Sequence, residues 1–173
     1  ETDAVALFPG GFGTQDEGFE TLTLIQTGKS DPLPVVLVDV PGGRYWQDWL
    51  RYVQTHLVQT GKVDPDDLSL LRITDDAEEA AREICRFYSV FHSLRYVGDR
   101  LVIRLNRPLP AGRLQSLNEE FSDILVKGRI EPAPSLPEES NEPHIAHLDR
   151  LTLHFDRTHY GRLRLLINRI NEP

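Results

Sequence analysis

Three closely spaced glycines and a carboxylate behind them are the residues of this sequence best suited to bind and convert a ligand. Gly10, Gly11 and Gly13 stand within four residues, and Thr14 and Glu17 follow. Because glycine has no Cβ, such a backbone turns sharply and approaches a ligand closely. A helix that begins there directs unpaired N–H groups and the positive end of its dipole at the ligand, which suits a phosphate. The sequence therefore predicts a phosphate site; the alternative is a turn that uses glycine only for packing.

Glu17 indicates a chemistry beyond phosphate binding. A carboxylate near a phosphate is unfavourable unless it contacts another part of the ligand, such as a sugar hydroxyl or a developing positive charge. We interpret the string as a nucleotide site in which Glu17 acts on the sugar and Glu20, one turn further on, supports it. The simpler alternatives are a first-turn acid that stabilises the helix dipole and, at Glu20, a solvated surface acid. Thr14 either caps the helix or donates to a phosphate oxygen.

Periodicity along the first 97 residues predicts alternating strands and helices. The predicted strands are 4–8, 34–40 and 68–73, and the predicted helices are 14–27, 44–59 and 76–91. Residues 35–38 are continuously apolar, as in a strand that is covered on both faces of a parallel sheet. This βαβαβα order predicts an α/β fold with the C-terminal half of a Rossmann-like parallel sheet. The glycine turn then lies at the carboxyl end of the first strand, where open α/β sheets bind ligands.

The pattern changes after residue 97, and residues 98–173 are predicted to form an appended α/β module. Strands are predicted over 100–105 and 151–155, and helices over 111–126 and 160–171, which gives a βα–βα order. Between them, residues 131–143 are rich in proline and glutamate and offer little to bury, so a loop or partly mobile linker is predicted.

The composition limits the classes of partner. The formal net charge is −8 with no basic stripe, which argues against nucleic acid. No apolar stretch is long enough to span a bilayer, so no membrane partner is expected. The single cysteine, Cys85, cannot form an internal disulfide, which makes a reducing, cytoplasmic location the default expectation. His144 and His147 lie in the proline-rich region without a helical metal-binding frame, so no metal site is predicted.

Two aromatic residues, Tyr45 and Trp46, follow the second predicted strand. Their place near the expected ligand edge of the sheet allows a purine base to stack on them. The alternative is that these two side chains pack in the core or form a subunit contact, and we favour this alternative over base stacking.

Residues 9–17 read Pro-Gly-Gly-Phe-Gly-Thr-Gln-Asp-Glu. At every fixed position this string resembles the Pro-Gly-Gly-x-Gly-Thr-x-x-Glu signature of the LOG ("lonely guy") family. A less specific resemblance continues over roughly the first 90 residues. Members of this family were long described as lysine decarboxylases, and characterised members are cytokinin riboside 5′-monophosphate phosphoribohydrolases.

The resemblance implies a hydrolase that cleaves the N-glycosidic bond of a purine or cytokinin nucleoside 5′-monophosphate, such as AMP, to free base and ribose 5-phosphate. It implies Glu17 as the catalytic residue, with Gly10, Gly11, Gly13 and Thr14 binding the phosphate. Water is then the nucleophile, no metal or organic cofactor is required, and a homo-oligomer is expected. A non-hydrolytic carrier of a nucleotide or of molybdenum cofactor is the alternative, because a carrier needs only the amides.

The resemblance also implies that residues 1–97 are the C-terminal half of a LOG-type domain. The chain contains no methionine and begins just before a strand of the buried type. The family's arginine partner of the glutamate and its other glycine-rich phosphate loop belong to the part that would precede this chain. We therefore expect the N-terminal half of the same protein as a further partner. Residues 98–173 lack a catalytic string, and regulation by an effector or a partner is one interpretation of them.

Overall fold

The computed structural model describes residues 2–173, which divide into two compact units. The first comprises residues up to Arg86 together with Thr158–Arg164, and the second comprises Phe87–Arg157 together with Leu165–Pro173. The first unit contains the glycine turn. Within the described part of the chain, no helix combines the length and the apolar character that crossing a bilayer requires.

A three-stranded parallel sheet forms the centre of the first unit. Every residue of its middle strand is buried, as predicted, and the apolar core includes Ile25, Trp46 and Leu70. The α/β class and the parallel sheet predicted from the sequence are confirmed. The strands, in spatial order, are β1 (Val5–Leu7), β2 (Val35–Val38) and β3 (Leu71–Thr74), and the helices that follow them are α1 (Phe12–Gln26), α2 (Tyr45–Val53) and α3 (Ala77–Phe87).

Some boundaries in the first unit differ from the prediction. α1 begins at Phe12 rather than at residue 14. The predicted strand 68–73 is preceded and shortened by a 3-10 helix, Pro65–Leu70, because proline suits a first helical position and Asp64 caps the helix. The helix predicted to reach residue 59 continues beyond α2 as a π-helical turn, Gln54–Val58. The boundaries of these helices and strands are therefore set by local capping and turn residues rather than by the apolar periodicity.

A four-stranded antiparallel sheet forms the second unit. Its strands have the order β4-β5-β7-β6, so the appended module is more extensively β than the βα–βα pattern indicates. The elements are β4 (Phe91–Val97), β5 (Arg100–Leu105), α4 (Arg113–Glu120), β6 (Leu125–Ala133), β7 (Asp149–Phe155) and α5 (Tyr160–Ile170), whose first residues belong to the first unit.

The sequence prediction includes β5 and β7 but not β4 and β6. It assigns the start of β4 to the preceding helix, although Gly98, with φ 60°, marks the hairpin between β4 and β5. It also extends the helix after β5 to residue 126, whereas α4 ends at Glu120. Gly128 and Pro132 interrupt the strand pattern of β6, which pairs with β7 through shifts of register. These interruptions explain why the strand was not predicted.

Residues 131–143 are mostly exposed, as their composition predicts, but one acidic side chain in this segment is an exception. Glu139, at the end of the 3-10 helix Pro137–Glu139, is 1% exposed. Arg104 on β5 and Arg150 on β7 are buried as well, and each donates from its Nε to a different carboxylate oxygen of Glu139, at 2.8 and 2.9 Å. An ion-pair network therefore holds this segment against the sheet, and a hydropathy pattern does not reveal such a network.

The N-terminal part of α5 packs within the first unit. A Cβ added to Gly161 would stand 2.4 Å from the Asp66 carbonyl oxygen, so the two backbones are in close contact. The Gly161 carbonyl oxygen accepts a hydrogen bond from the Ser69 hydroxyl at 2.7 Å. Arg164 is 2% exposed and donates to the Leu33 carbonyl oxygen at 2.9 Å. The first unit therefore includes a segment that is distant in sequence from the rest of it.

Replacing Gly161 with alanine is expected to lower the free energy of unfolding of the first unit by about 1–3 kcal/mol, because the new methyl meets backbone atoms. Gly13→Ala is the matched control: each glycine is the second residue of its helix, but nothing lies within 4 Å of a Cβ at Gly13. Trp46 and Trp49, the two tryptophans, lie in the first unit, so tryptophan fluorescence during urea unfolding reports on it. Equal midpoints for wild type and Gly161→Ala would contradict the close packing.

Candidate functional site

The glycine turn lies between β1 and α1, at the carboxyl end of the parallel sheet. Residues 9–13 are all exposed to solvent. Gly11 is the N-cap of α1, with φ −89° and ψ −154°, and no side chain caps the helix. The first amides of a helix have no partner within it, so this end presents unpaired N–H groups beside a solvent-accessible turn. The positive end of the helix dipole has the same position.

The three glycines differ in what their surroundings require. A Cβ added to Gly10 would stand 2.2 Å from the Thr14 hydroxyl oxygen, so packing explains this glycine. Nothing lies within 4 Å of a Cβ at Gly11 or Gly13, and neither has a positive φ. Packing and local conformation therefore do not explain Gly11 and Gly13. What their small size provides is an uncovered backbone at the N-terminus of α1.

Thr14 is the third residue of α1 and lies against Gly10. It does not cap the helix, because the N-cap position belongs to Gly11 and no side-chain cap is formed. Of the two roles considered for Thr14, the capping role is therefore wrong. Its half-buried hydroxyl remains beside the turn.

Glu17 lies in the second turn of α1 and is exposed. The alternative of a first-turn acid is wrong, because the first turn of α1 contains no acidic residue. At 100° per residue, Gly13, Glu17 and Glu20 lie on one side of the helix, and all three are exposed. Among residues 2–173, neither Glu17 nor Glu20 has a hydrogen-bond or ion-pair partner. The Glu17 carboxylate is therefore not committed to a structural contact.

Tyr45 connects the turn to the start of α2. Its hydroxyl donates to the Gly10 carbonyl oxygen at 2.6 Å and accepts from the Gln15 side-chain amide at 2.5 Å. Its neighbour Trp46 is 1% exposed and belongs to the apolar core. Of the two interpretations of this aromatic pair, core packing is correct for Trp46, which is too buried to stack on a ligand.

The loop after β2 is ordered by a buried carboxylate that the sequence analysis did not identify. Asp39 is 7% exposed and accepts hydrogen bonds from the backbone N–H groups of Val40, at 2.9 Å, and Trp46, at 3.2 Å. The Gly42 N–H donates to Asp75 at 2.8 Å, which connects this loop to the one after β3. The sequence signal for this role was the position of Asp39 directly after the apolar residues 35–38.

Three apolar side chains are strongly exposed near the carboxyl ends of β1 and β2. Phe8 follows β1, Phe12 begins α1 and Val40 follows β2, with 61%, 95% and 62% of their surfaces accessible. None of these side chains is covered by other described parts of the first unit, so all three are available to contact a ligand or a partner. Periodicity did not distinguish these three residues from core residues.

Other chemistries have less support in the structure. Within residues 2–173, no group of three or more His, Cys, Asp or Glu side chains is arranged to hold a metal ion. The three lysines of the chain, Lys29, Lys62 and Lys127, are all exposed, and Lys127 forms a surface ion pair with Asp99.

Comparisons with known proteins cover about half of the chain. A family profile described as "Possible lysine decarboxylase" matches residues 1–84. A cytokinin riboside 5′-monophosphate phosphoribohydrolase of Mycobacterium tuberculosis (strain ATCC 25618 / H37Rv) is 38% identical over 81 residues, which are 47% of this chain. The aligned region spans 41% of that relative's length. The profile match includes the glycine turn and its glutamate, and both matches support the resemblance of this chain to the LOG family over part of its length.

Proposed function

We propose that this chain is the C-terminal part of a nucleotide-binding hydrolase that cleaves the N-glycosidic bond of a purine or cytokinin nucleoside 5′-monophosphate. The observation that carries the proposal is the uncapped N-terminus of α1, with its uncovered glycines and an uncommitted Glu17 on the same side. The relative from Mycobacterium tuberculosis, named for this reaction, supports it.

In the proposed site, backbone amides of Gly10, Gly11 and Gly13 and the Thr14 hydroxyl bind the 5′-phosphate. Charge–dipole attraction and N–H donation both favour a dianion at this helix end. The phosphate thereby fixes the ribose beside α1. Binding at a distance from the reacting bond lowers the entropic cost of orienting that bond.

Glu17 is the proposed catalytic residue. The bond between the anomeric carbon and the base nitrogen breaks, its electron pair leaves with the base, and the sugar acquires cationic character. A carboxylate near that carbon stabilises the charge and orients the attacking water. Water adds to the anomeric carbon, and its proton balances the charge of the departing base, giving free base and ribose 5-phosphate. Glu20 is proposed as support for Glu17 or as a ligand of a ribose hydroxyl.

The proposed assembly contains more than this chain. We propose that residues 1–97 are the C-terminal half of the nucleotide-binding domain, completed by an N-terminal half of the same protein, and that the protein is a homo-oligomer. The aligned region covers 41% of the relative, which leaves room for such a half. Residues 98–173, as an appended module, are proposed to bind an effector or partner.

The uncommitted carboxylate favours hydrolysis over carriage of a nucleotide or of molybdenum cofactor, because a carrier needs only the amides. Lysine decarboxylation is disfavoured. Its usual cofactor, pyridoxal phosphate, is bound through a lysine Schiff base beside an enclosed site. All three lysines here are exposed.

Incubation with AMP of a longer polypeptide, in which the proposed N-terminal half precedes this chain, is expected to release adenine, which chromatography detects, together with ribose 5-phosphate in equal amount. The same assay on this chain alone shows how far the rate depends on the preceding half. Tight AMP binding without adenine release in both would contradict hydrolysis and support the carrier. Adenosine, which has no phosphate, is the control substrate and should be converted far more slowly.

A further inference from the structure

We infer that Tyr45 is a positioning residue for the phosphate site, an inference that rests on the function proposed above. Its hydroxyl contacts two groups, the Gly10 carbonyl oxygen at 2.6 Å and the Gln15 side-chain nitrogen at 2.5 Å. An amide nitrogen only donates, so the hydroxyl oxygen accepts from Gln15. The hydroxyl proton is then directed to Gly10. One phenol group thus joins the turn, the first part of α1 and the start of α2.

This contact determines the direction of one N–H group of the proposed phosphate site. The Gly10 carbonyl and the Gly11 N–H belong to the same peptide plane, and in a trans peptide they point in opposite directions. Because Tyr45 holds the carbonyl, the Gly11 N–H faces away from Tyr45. Glycine on both sides makes this peptide unusually easy to rotate. Without the phenol hydroxyl, the plane would lose the contact that sets its orientation.

Tyr45 is itself held by the core of the first unit. Its ring packs edge-to-face on the Trp46 ring, with centroids 4.8 Å apart and an interplanar angle of 88°. Trp46 is anchored to the end of β2, since its indole N–H donates to the Val38 carbonyl oxygen and its backbone N–H donates to Asp39. The sheet therefore fixes the ring, the ring fixes the hydroxyl, and the hydroxyl fixes the peptide.

The test is Tyr45→Phe, which keeps the ring in the core and removes only the hydroxyl. We expect the affinities for AMP and for inorganic phosphate, measured by calorimetry, to fall about fivefold to tenfold, the effect of one hydrogen bond. Affinity for adenosine should not change, because adenosine lacks the group that the turn binds. In NMR spectra without ligand, the Gly11 amide should shift and lose order relative to wild type.

Tyr52→Phe is the matched control. Tyr52 lies on the same helix, α2, but is 53% exposed, and among the described residues its hydroxyl has no hydrogen-bond partner. Its loss should change neither affinity nor the Gly11 amide. Gln15→Leu should cause a smaller loss of phosphate affinity than Tyr45→Phe. The double variant should lose no more than Tyr45→Phe alone, because both side chains act through one hydroxyl.

The outcomes separate this inference from the proposed function. If wild type binds AMP and Tyr45→Phe binds it equally well, Tyr45 is not a positioning residue, while the nucleotide site stands. If wild type binds neither AMP nor phosphate, the proposed function fails and the inference fails with it. A parallel loss of adenosine affinity would show a general structural effect and would also overturn the inference.

Discussion

Replacing Glu139 with alanine is expected to lower the free energy of unfolding of the second unit by about 3–5 kcal/mol, the largest effect of any single substitution discussed. The variant leaves the guanidinium groups of Arg104 and Arg150, which are 3% and 2% exposed, without their shared carboxylate. An uncompensated buried charge costs far more than an intact pair contributes. Both tryptophans lie in the first unit, so hydrogen exchange of β5 and β7 in urea is the suitable measurement.

Glu138→Ala is the control for this substitution, because Glu138 is the exposed neighbour in the same 3-10 helix. It should leave exchange in β5 and β7 unchanged. Equal exchange in wild type and Glu139→Ala would show that the buried pairs contribute nothing. In that case Glu142, which is half-buried and pairs with Arg104 at 2.6 Å, would be sufficient to compensate the charge of Arg104.

The effect of Glu139→Ala should depend on pH. Burial alone would raise the pKa of Glu139, but the Leu136 N–H and the guanidinium groups of Arg104 and Arg150 outweigh it and hold the pKa below its ordinary value. A lowered native pKa stabilises the fold fully above the unfolded value of about 4.3. That contribution is lost as the pH falls through the native pKa. The stability difference between wild type and variant should therefore narrow below about pH 4.

Replacing Glu17 with glutamine is expected to lower the rate of adenine release from AMP by about 100-fold or more, with little change in AMP affinity. The amide has nearly the same size but no negative charge to stabilise the cationic sugar, and removing one such electrostatic group costs rates of this order. Stability should hold, because Glu17 is exposed and has no partner among residues 2–173. The measurement is single-turnover release of adenine at saturating protein.

Glu20→Gln is the matched control for Glu17→Gln, since both carboxylates are exposed on the same side of α1. A loss below tenfold at Glu20 with a large loss at Glu17 would assign the chemistry to Glu17. Unchanged release by Glu17→Gln would refute its catalytic role. Loss of AMP binding rather than of release would make Glu17 a binding residue.

The sequence was informative where one signal dominated. Residues 35–38 are apolar without interruption, so β2 was predicted as a covered central strand, and it is one. The glycine turn was predicted because several closely spaced glycines after an apolar run are typical of a turn between a strand and a helix. By contrast, the role of Tyr45 depends on a hydrogen bond to a residue 35 positions earlier, and no local pattern contains that contact.

Long-range polar contacts also explain why the burial of Glu139, within the mostly exposed segment 131–143, was not predicted. The composition of this segment predicts exposure to solvent, but Glu139 accepts hydrogen bonds from arginines on β5 and β7. The burial of one acid is decided by two bases elsewhere in the chain, and single-sequence periodicity does not record such pairs. Gly128 and Pro132 interrupt the alternating pattern of β6, and this strand was therefore not predicted.

The place of Arg164 and Gly161 in the first unit has a consequence for biosynthesis. The partners of these residues lie far upstream, and Arg164 reaches Leu33 across 131 positions. The parallel sheet can begin to assemble while translation continues, but its packing is complete only after residues 158–164 have left the ribosome. Closing so long a loop is slow compared with local helix formation. The glycine turn, although it lies far upstream of residues 158–164, therefore belongs to a nascent unit that completes its packing late.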